Sequence, residues 1–274
     1  MKLTIRHVTR YAYEPETGQV GLRLKLFPAN SDAQTVHSWK VTVNDAPVTP
    51  LHTDGAGDGI ALWLAYVPTE QVEIAVEGLV ETADVAGVLS GKGEVTRPGV
   101  YLRQTRATKP NDAIRELADK IEGDDTLARM HSLSALVHAA IDYRPGATES
   151  GTTAAEALAL GAGVCQDQAH VFLSAARVAG VPARYVVGYL DDPDSDIPPD
   201  ETHAWVEAYV KGLGWVGFDV TNEVCPTEAY VRLCSGLDAA DAAPIRGTFM
   251  GDVDETMDVD IAVTPGQRQS QSQS

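Results

Sequence analysis

The chain has 274 residues, of which 44% are apolar and 22% are charged, so it can bury at least one full core, and two domains are expected. Its 39 acidic and 21 basic residues give a formal net charge of -18. This charge repels nucleic-acid backbones and anionic lipid surfaces, which argues against nucleic-acid and membrane partners. No apolar stretch reaches the roughly 20 residues that span a bilayer, and the first residues lack the apolar core of a secretory signal, so a cytoplasmic location is expected.

The first hundred residues predict antiparallel β structure. Apolar residues alternate with period two over 3–5, 20–26 and 72–76, with Gly, Pro and Asp clusters between these runs. After Pro110 the apolar residues follow helical spacing, so a domain boundary is expected near 104–110. The sequence predicts three parts in chain order, which are a β-rich N-terminal domain over 1–105, a core with helices and strands over 106–264, and a disordered tail over 265–274.

The second half predicts helices and strands in alternation. Helical spacing of apolar residues runs over 114–121 and 127–141, and Thr153 with Glu156 matches a capping box that opens a short helix. A further helix is predicted from Cys165 to about Ala179, where Gly180 ends it. Strands are predicted at 183–190, 203–210 and 214–219.

Three cysteines are present, and they form no C-x-x-C pair, which fits neither a disulfide framework nor a zinc ribbon. Cys165 lies at the first turn of its predicted helix, where unpaired N–H groups and a partial positive charge stabilise a thiolate. Gly161 and Gly163 let the chain turn sharply, and the Cys165 N–H can donate to an oxyanion. Cys165 is therefore the candidate nucleophile; the alternative for a lone cysteine is a small buried apolar residue. Cys225 and Cys234 have no evident base and are predicted to be structural thiols.

A histidine and an aspartate follow on two predicted neighbouring strands. His203 opens the strand HAWVEAYV and Asp219 closes the strand GWVGFD, with KGLG between them. A three-residue loop at 211–213 would place both side chains on one sheet face as a diagonal pair about 7 to 8 Å apart, whereas a two-residue loop would place them on opposite faces. With the odd loop or a bulge, His203 can take the thiol proton and Asp219 can fix the imidazole tautomer.

The segments GVCQDQAH, GVPARYVVGYL, THAWVEAYVKGLGWVGFDVTN and IDYRPGATES resemble the bacterial transglutaminase-like proteins, cysteine enzymes with a papain-like core. The β-rich first hundred residues resemble the N-terminal domain that accompanies this core in one bacterial branch. The resemblance implies an α+β fold in which the catalytic cysteine begins a helix and the histidine and aspartate lie on adjacent antiparallel strands. It carries the triad over to Cys165, His203 and Asp219.

The chain departs from the family pattern at several positions around the expected site. Gln168 stands where an aromatic residue is expected, Val220 where a proline usually follows the aspartate, and Tyr230 where a histidine is expected; GLDAADAAP replaces a pattern resembling G-R-D-Y-x-D. None of these positions belongs to the triad, so they bear on the substrate groove.

Two further residues are candidates for substrate binding. Asp167 can orient a substrate amide, or it can simply complement the helix N-terminus. Trp205 can form the groove wall and shield the Cys–His pair from water. His170 lies about 140° from Cys165 around the helix axis, so packing is expected for it. His131 and His138 share a helix face but lack a third ligand, so no metal is expected, and no cofactor is implied.

Acidic residues are concentrated near the end of the chain, where 191–274 holds 17 acidic and four basic residues. Two runs, 191–201 and 252–260, are predicted to be a solvated loop and an acidic tail, and the first can attract a cationic substrate. The expected function is cysteine-dependent acyl transfer or hydrolysis on peptide or protein amides through a thioester, with a peptide or protein substrate as partner. The alternatives are amine transfer of the transglutaminase type and a non-catalytic peptide-binding module.

Overall fold

The computed structural model describes residues 1–91, 93–191 and 201–265. Most of the predicted acidic loop, residues 192–200, lies outside this described part. The predicted disordered tail lies outside it as well from residue 266 onward.

The described residues form a protein with many antiparallel strands and few helices, which confirms the expected α+β class with a β-rich N-terminal half and a mixed core. The strands are β1 (Lys2–Thr17), β2 (Gln19–Phe27), β3 (Gln34–Val43), β4 (Ala46–Val48), β5 (His52–Thr53), β6 (Gly59–Ala65), β7 (Thr69–Thr82), β8 (Val88–Leu89), β9 (Asp142–Tyr143), β10 (Ala162–Gly163), β11 (Ala183–Leu190), β12 (His203–Val210), β13 (Gly214–Phe218), β14 (Tyr230–Gly236), β15 (Ile245–Met250) and β16 (Asp254–Pro265). The helices are α1 (Asp112–Asp119), α2 (Thr126–Ala140), α3 (Ala154–Leu160), α4 (Cys165–Val178) and α5 (Ala239–Ala242), with one 3₁₀ helix at Pro98–Leu102.

Two sheets form the N-terminal half, with strand orders β16-β1-β7-β3-β4 and β15-β2-β6-β5. Their strands alternate buried and exposed residues as the period-two pattern predicts, and the inward apolar residues of both sheets belong to one buried cluster. The two sheets contact each other through β2, which meets β3 and β7, and Trp39 Nε1 of β3 donates to the Leu26 carbonyl oxygen of β2 at 2.6 Å.

The core is built on a third sheet of order β14-β11-β12-β13-β8, against which α4 packs. The burial of α4 is extensive, because eleven of its consecutive residues from Asp167 to Arg177 are buried. Phe172 of α4 stacks on Phe218 of β13 with ring centroids 5.7 Å apart. This packing fixes the start of α4 close to the end of the sheet where β12 begins.

The helix starts follow from side-chain caps. Asn111 accepts a hydrogen bond from Ile114 N at 3.0 Å, and Asp125 accepts one from Ala128 N at 2.8 Å. The predicted capping box of α3 is confirmed, since Thr153 N donates to Glu156 at 2.9 Å and the Thr153 hydroxyl accepts from Glu156 N at 3.4 Å.

The chain returns to its beginning after the core, which differs from the predicted boundary at residue 264. β15 pairs with β2, and β16 pairs with β1 over twelve residues, so residues 245–265 lie in the sheets of the N-terminal half. The run 252–260, predicted as an acidic tail, is therefore largely an edge strand. Asp258 and Asp260 lie on the exposed face, where they pair with arginines of β1, while Ile261 is buried.

Charged residues buried between the two halves connect them. Arg232 Nε donates to Glu207 at 2.8 Å, and Arg232 Nη1 donates to Asp58 of the N-terminal half at 3.2 Å. Arg184 donates to Glu207 at 2.6 Å and to Glu94 at 2.8 Å. We call these five residues the interface network. Together with Lys25, whose Nζ lies 3.7 Å from Asp58, its three carboxylates face three cations, as buried charges require.

No helix within the described ranges is both long enough and apolar enough to cross a membrane.

Candidate active site

Cys165 begins α4, as the sequence predicts. Gly161 ends α3 in the left-handed region at φ 65°, which lets the chain turn back into the next helix. Asp167 N and Gln168 N both donate to the Val164 carbonyl oxygen, whereas the N–H groups of Cys165 and Gln166 make no hydrogen bond with another described residue. These two donors are therefore available beside the half-buried thiol.

Asp167 holds the turn in front of Cys165. Its Oδ2 accepts from Val164 N at 2.9 Å and from the Thr148 hydroxyl at 2.6 Å. Burial raises the pKa of this carboxyl, although the two hydrogen bonds act in the opposite direction. A Cβ on Gly163 would lie 2.6 Å from Asp167 Oδ2, so only glycine fits there. Asp167 thus shapes the turn, and the predicted contact of Asp167 with substrate stays a prediction.

The hairpin of β12 and β13 has the odd loop on which the predicted geometry depends. Val210 pairs with Gly214, which leaves three residues at 211–213 in the loop. His203 and Asp219 come together as the odd-loop alternative predicts. His203 Nε2 donates to Asp219 Oδ2 at 2.6 Å, and both side chains are completely buried.

Asp219 receives more hydrogen bonds than the sequence suggested. Its Oδ1 accepts from the backbone N–H groups of Thr221 and Asn222, at 3.0 and 3.2 Å. Its Oδ2 accepts from Asn222 Nδ2 and from the Tyr230 hydroxyl, each at 2.7 Å, in addition to His203. The Thr-Asn pair after an aspartate is a local signal for such a turn, whereas nothing local indicates that Tyr230 reaches this carboxylate.

The buried pair has the electrostatics of an imidazolium beside a carboxylate. Burial opposes a charge on His203, but the Asp219 carboxylate and its hydrogen bond outweigh burial, with a further contribution from nearby Cys165, and raise the pKa of His203 to about 10. Burial acts to raise the pKa of Asp219, yet His203, Tyr230 and Asn222 together lower it. His203 Nδ1 is buried without a hydrogen bond to another described residue, and with Nε2 bound to Asp219 it is the ring nitrogen left for the Cys165 thiol.

Trp205 covers the histidine from the same strand face. Its ring centroid lies 6.1 Å from that of His203 and 5.5 Å from that of Tyr230, and only 3% of the residue is exposed. Gly188 of β11 leaves the space that the Trp205 ring occupies, since a Cβ there would come within 2.5 Å of it. This burial agrees with a shielding role for Trp205; its contact with substrate stays a prediction.

Gln168 connects α4 to the loop after Asp219. Its amide nitrogen donates to the Ile141 carbonyl oxygen at 3.0 Å, and its amide oxygen accepts from the Thr221 hydroxyl at 2.6 Å. The departure from the family pattern at this position therefore supplies a polar connection between the cysteine helix and the aspartate.

The other candidate residues lie in separate surroundings. His170 is buried against Tyr185 and accepts from Ala239 N at 3.1 Å, so packing accounts for it. His131 packs edge-on against Phe218, and His138 Nδ1 donates to the Val220 carbonyl oxygen at 2.9 Å. Cys225 is half-buried, and Cys234 is fully buried, with its Sγ 3.0 Å from the Ala242 carbonyl oxygen. Over the described ranges, no group of three or more His, Cys, Asp or Glu residues is arranged to hold a metal ion.

Comparisons with known proteins agree with this architecture. The Transglutaminase-like superfamily matches residues 115–220, which include Cys165, His203 and Asp219. The Bacterial transglutaminase-like N-terminal region matches residues 3–81, which cover most of the first two sheets.

Several relatives align with this chain over nearly the full length of both sequences. An uncharacterized protein of Mycobacterium leprae is 27% identical over 277 residues, covering 96% of this chain and 98% of the relative. An uncharacterized protein of Mycobacterium tuberculosis is 27% identical over 288 residues, covering 95% of this chain and 92% of the relative. A crystal structure from Cytophaga hutchinsonii, described as a "Putative Cysteine Protease", shares the fold with a TM-score of 0.75 at 22% identity, over 98% of this chain and 92% of the other. The chain belongs to the transglutaminase-like superfamily and carries the bacterial transglutaminase-like N-terminal region in front of the core.

Proposed function

We propose that this protein is a cysteine peptidase or amidase in which Cys165 forms a thioester with the acyl group of a peptide or protein amide. The observation that carries the proposal is the buried 2.6 Å hydrogen bond from His203 Nε2 to Asp219, which leaves His203 Nδ1 for a thiol at the start of a helix. A thiol beside an imidazole that a carboxylate orients is the arrangement for nucleophilic acyl transfer. The Cytophaga hutchinsonii structure, described as a "Putative Cysteine Protease", supports a cysteine-dependent enzyme in general terms.

Acylation begins when the Cys165 thiolate attacks the amide carbonyl carbon. A C–S bond forms, and the carbonyl electrons move to the oxygen, where the N–H groups of Cys165 and Gln166 can donate to the developing oxyanion. As the C–N bond breaks, the His203 imidazolium gives its Nδ1 proton to the leaving amine. Asp219 stays ionised throughout, because its five hydrogen bonds favour the carboxylate.

Deacylation returns the enzyme to its starting state. Neutral His203 takes a proton from water at Nδ1, the hydroxide adds to the thioester carbonyl carbon, and the C–S bond breaks to release the acid and the Cys165 thiolate. A primary amine in place of water would make the reaction a transglutaminase-type transfer. We propose hydrolysis because water needs no dedicated acceptor site.

Alkylation at graded pH tests the nucleophile. We expect iodoacetamide to label Cys165 at about pH 6 to 7, where ordinary thiols react slowly, with Cys225 and Cys234 labelled far less. Mass spectrometry of the labelled peptides separates the three thiols. Equal labelling of Cys165 and Cys225 across this range would argue for the non-catalytic module.

Turnover tests the reaction itself. On a quenched fluorescent peptide mixture, Cys165→Ala should lose more than about 1,000-fold in kcat, because the nucleophile is gone. The matched control Cys225→Ala should retain activity. Adding a fluorescent primary amine measures the acceptor: hydrolysed product with little amine incorporation supports the peptidase, and dominant incorporation would reassign the protein to amine transfer.

A further inference from the structure

Both oxygens of the Asp219 carboxylate accept several hydrogen bonds. A carboxylate offers about four lone-pair positions, and this one accepts five hydrogen bonds from described residues, three of them on Oδ2. Four of the five come from His203 and from the turn that follows Asp219. The fifth comes from the Tyr230 hydroxyl, which donates at 2.7 Å. Tyr230 lies on a different strand, outside the hairpin of His203 and Asp219 and the turn that follows it.

Tyr230 reaches Asp219 from a strand that is not its neighbour. In the sheet order β14-β11-β12-β13, two strands separate β14, which Tyr230 begins, from β13, which Asp219 follows. Tyr230 is 7% exposed, and its ring centroid lies 6.0 Å from that of His203 and 5.5 Å from that of Trp205. The phenol therefore contacts the histidine with its ring and the carboxylate with its hydroxyl.

We propose that Tyr230 is a positioning residue that holds the Asp219 carboxylate toward His203 through its hydroxyl, in the place where the family pattern has a histidine. The inference rests on the part of the proposed function in which His203 is the proton partner of the Cys165 thiol. Two observations carry it: the 2.7 Å hydrogen bond to an ionised acceptor, and the fixed direction of the donor, since Trp205 packs edge-on against the ring that bears it.

Loss of the hydroxyl has a predictable electrostatic sign. The hydrogen bond from Tyr230 stabilises the ionised form of Asp219 and helps to lower the pKa of this carboxyl. Without it the pKa of Asp219 rises, so the carboxylate is protonated at a higher pH as the solution is acidified. The titratable groups that face Asp219 are His203 from β12 and Tyr230 from β14, while Cys165 of α4 acts on the same imidazole. The fall of kcat/KM on the acidic side of its pH profile, the acidic limb, should therefore depend on this hydrogen bond.

The test compares Tyr230→Phe with wild type and with Tyr209→Phe, which removes a hydroxyl from a tyrosine that packs on Trp215, elsewhere on the same sheet. We expect Tyr230→Phe to lower kcat about 10-fold or more with KM nearly unchanged, and to move the acidic limb of kcat/KM to higher pH. Tyr230→His, which restores an N–H donor, should recover part of both effects. Tyr209→Phe should change neither.

Equal kcat and an equal acidic limb in wild type and Tyr230→Phe would overturn the inference. If Tyr230→Phe does not fold, Tyr230→His is compared with Tyr230→Leu, and identical acidic limbs in those two overturn it instead. The rate of Cys165 alkylation by iodoacetamide, measured against pH in each variant, gives a readout that needs no substrate. If no amide is turned over but this pH dependence still shifts in Tyr230→Phe, the proposed reaction fails and the positioning role stands.

Discussion

A comparison of Arg232→Met with Arg10→Met should show how burial changes the stability that an ion pair contributes, because the two pairs have the same N–O distance. Arg232 Nε lies 2.8 Å from Glu207, and the two side chains are 9% and 4% exposed. Arg10 Nε lies 2.8 Å from Glu73, and both of those side chains are close to half exposed. Methionine keeps an unbranched apolar stem at each position, so the main change is the loss of the guanidinium.

The expected loss of stability is much larger for the buried pair. Removing one partner of a buried pair typically costs about 3 to 5 kcal/mol, because the other charge stays in a poorly solvated place. In Arg232→Met, Glu207 keeps its ion pair with Arg184, and Asp58 keeps its ion pair with Lys25. The expected loss in the free energy of unfolding is therefore at the lower end of this range, about 3 kcal/mol. The exposed ion pairs of Arg10 with Glu73 and Asp258 should contribute far less, since water and salt screen them.

Urea unfolding followed by circular dichroism measures both costs, and thermal unfolding provides a second estimate. About 3 kcal/mol should lower the Tm of Arg232→Met by roughly 6 to 12 °C, against at most a few degrees for Arg10→Met. Added salt should reduce the difference between Arg10→Met and wild type and leave the Arg232→Met deficit largely in place. If the two variants lose equal stability at low salt, burial does not govern these pairs and the reasoning is wrong.

The other predictions concern acid stability and the cysteine turn. Burial lowers the pKa values of His7 and His170 to about 4, so the unfolded state binds more protons below the ordinary value of about 6.5, and stability should fall by about 2 kcal/mol per histidine between pH 7 and pH 5. Urea unfolding at pH 7 and pH 5 should show a smaller loss of stability in His170→Gln than in wild type. An equal loss in both proteins would contradict the lowered pKa of His170. Gly163→Ala should lower kcat about 100-fold by displacing Asp167 and the thiol, whereas Gly151→Ala, where a Cβ meets nothing within 4 Å, should retain wild-type rates.

Much of the candidate site could be predicted because its signals are local. Period-two alternation identified β1, β2 and β7, and the break at Gly161 and Gly163 placed Cys165 at a helix start. The sequence left undecided whether His203 and Asp219 lie on the same face of the sheet, because this depends on whether the hairpin loop has an odd or an even number of residues. Gly212 and Gly214 both adopt left-handed φ values, 95° and 96°, which other residues rarely accept, and the turn closes over three residues. The letters KGLG permit this turn without specifying it.

Long-range pairing explains what could not be predicted. Val259, Ile261 and Val263 do recur with period two, but the partner of this strand is β1, about 250 residues earlier in the chain. Without that partner the acidic residues dominate the pattern and indicate a tail. In the sheet, Arg6 and Arg10 of β1 neutralise Asp260 and Asp258 on the exposed face, so an acidic run is compatible with a strand. The hydroxyl of Tyr230 escaped prediction for the same reason, since the strand order had to be known first.

The interface network and the candidate site share two strands. Glu207 lies two residues after Trp205 on β12, and Arg232 lies two residues after Tyr230 on β14, so each pair points to one face of its strand. Arg232 and Glu207 join these strands to each other and, through Asp58, to the N-terminal half. Trp205 and Tyr230 use the same face to pack on His203 and to hold Asp219. The N-terminal half therefore supports the strands that position the histidine and the aspartate, which gives a physical reason why its sheets accompany this core.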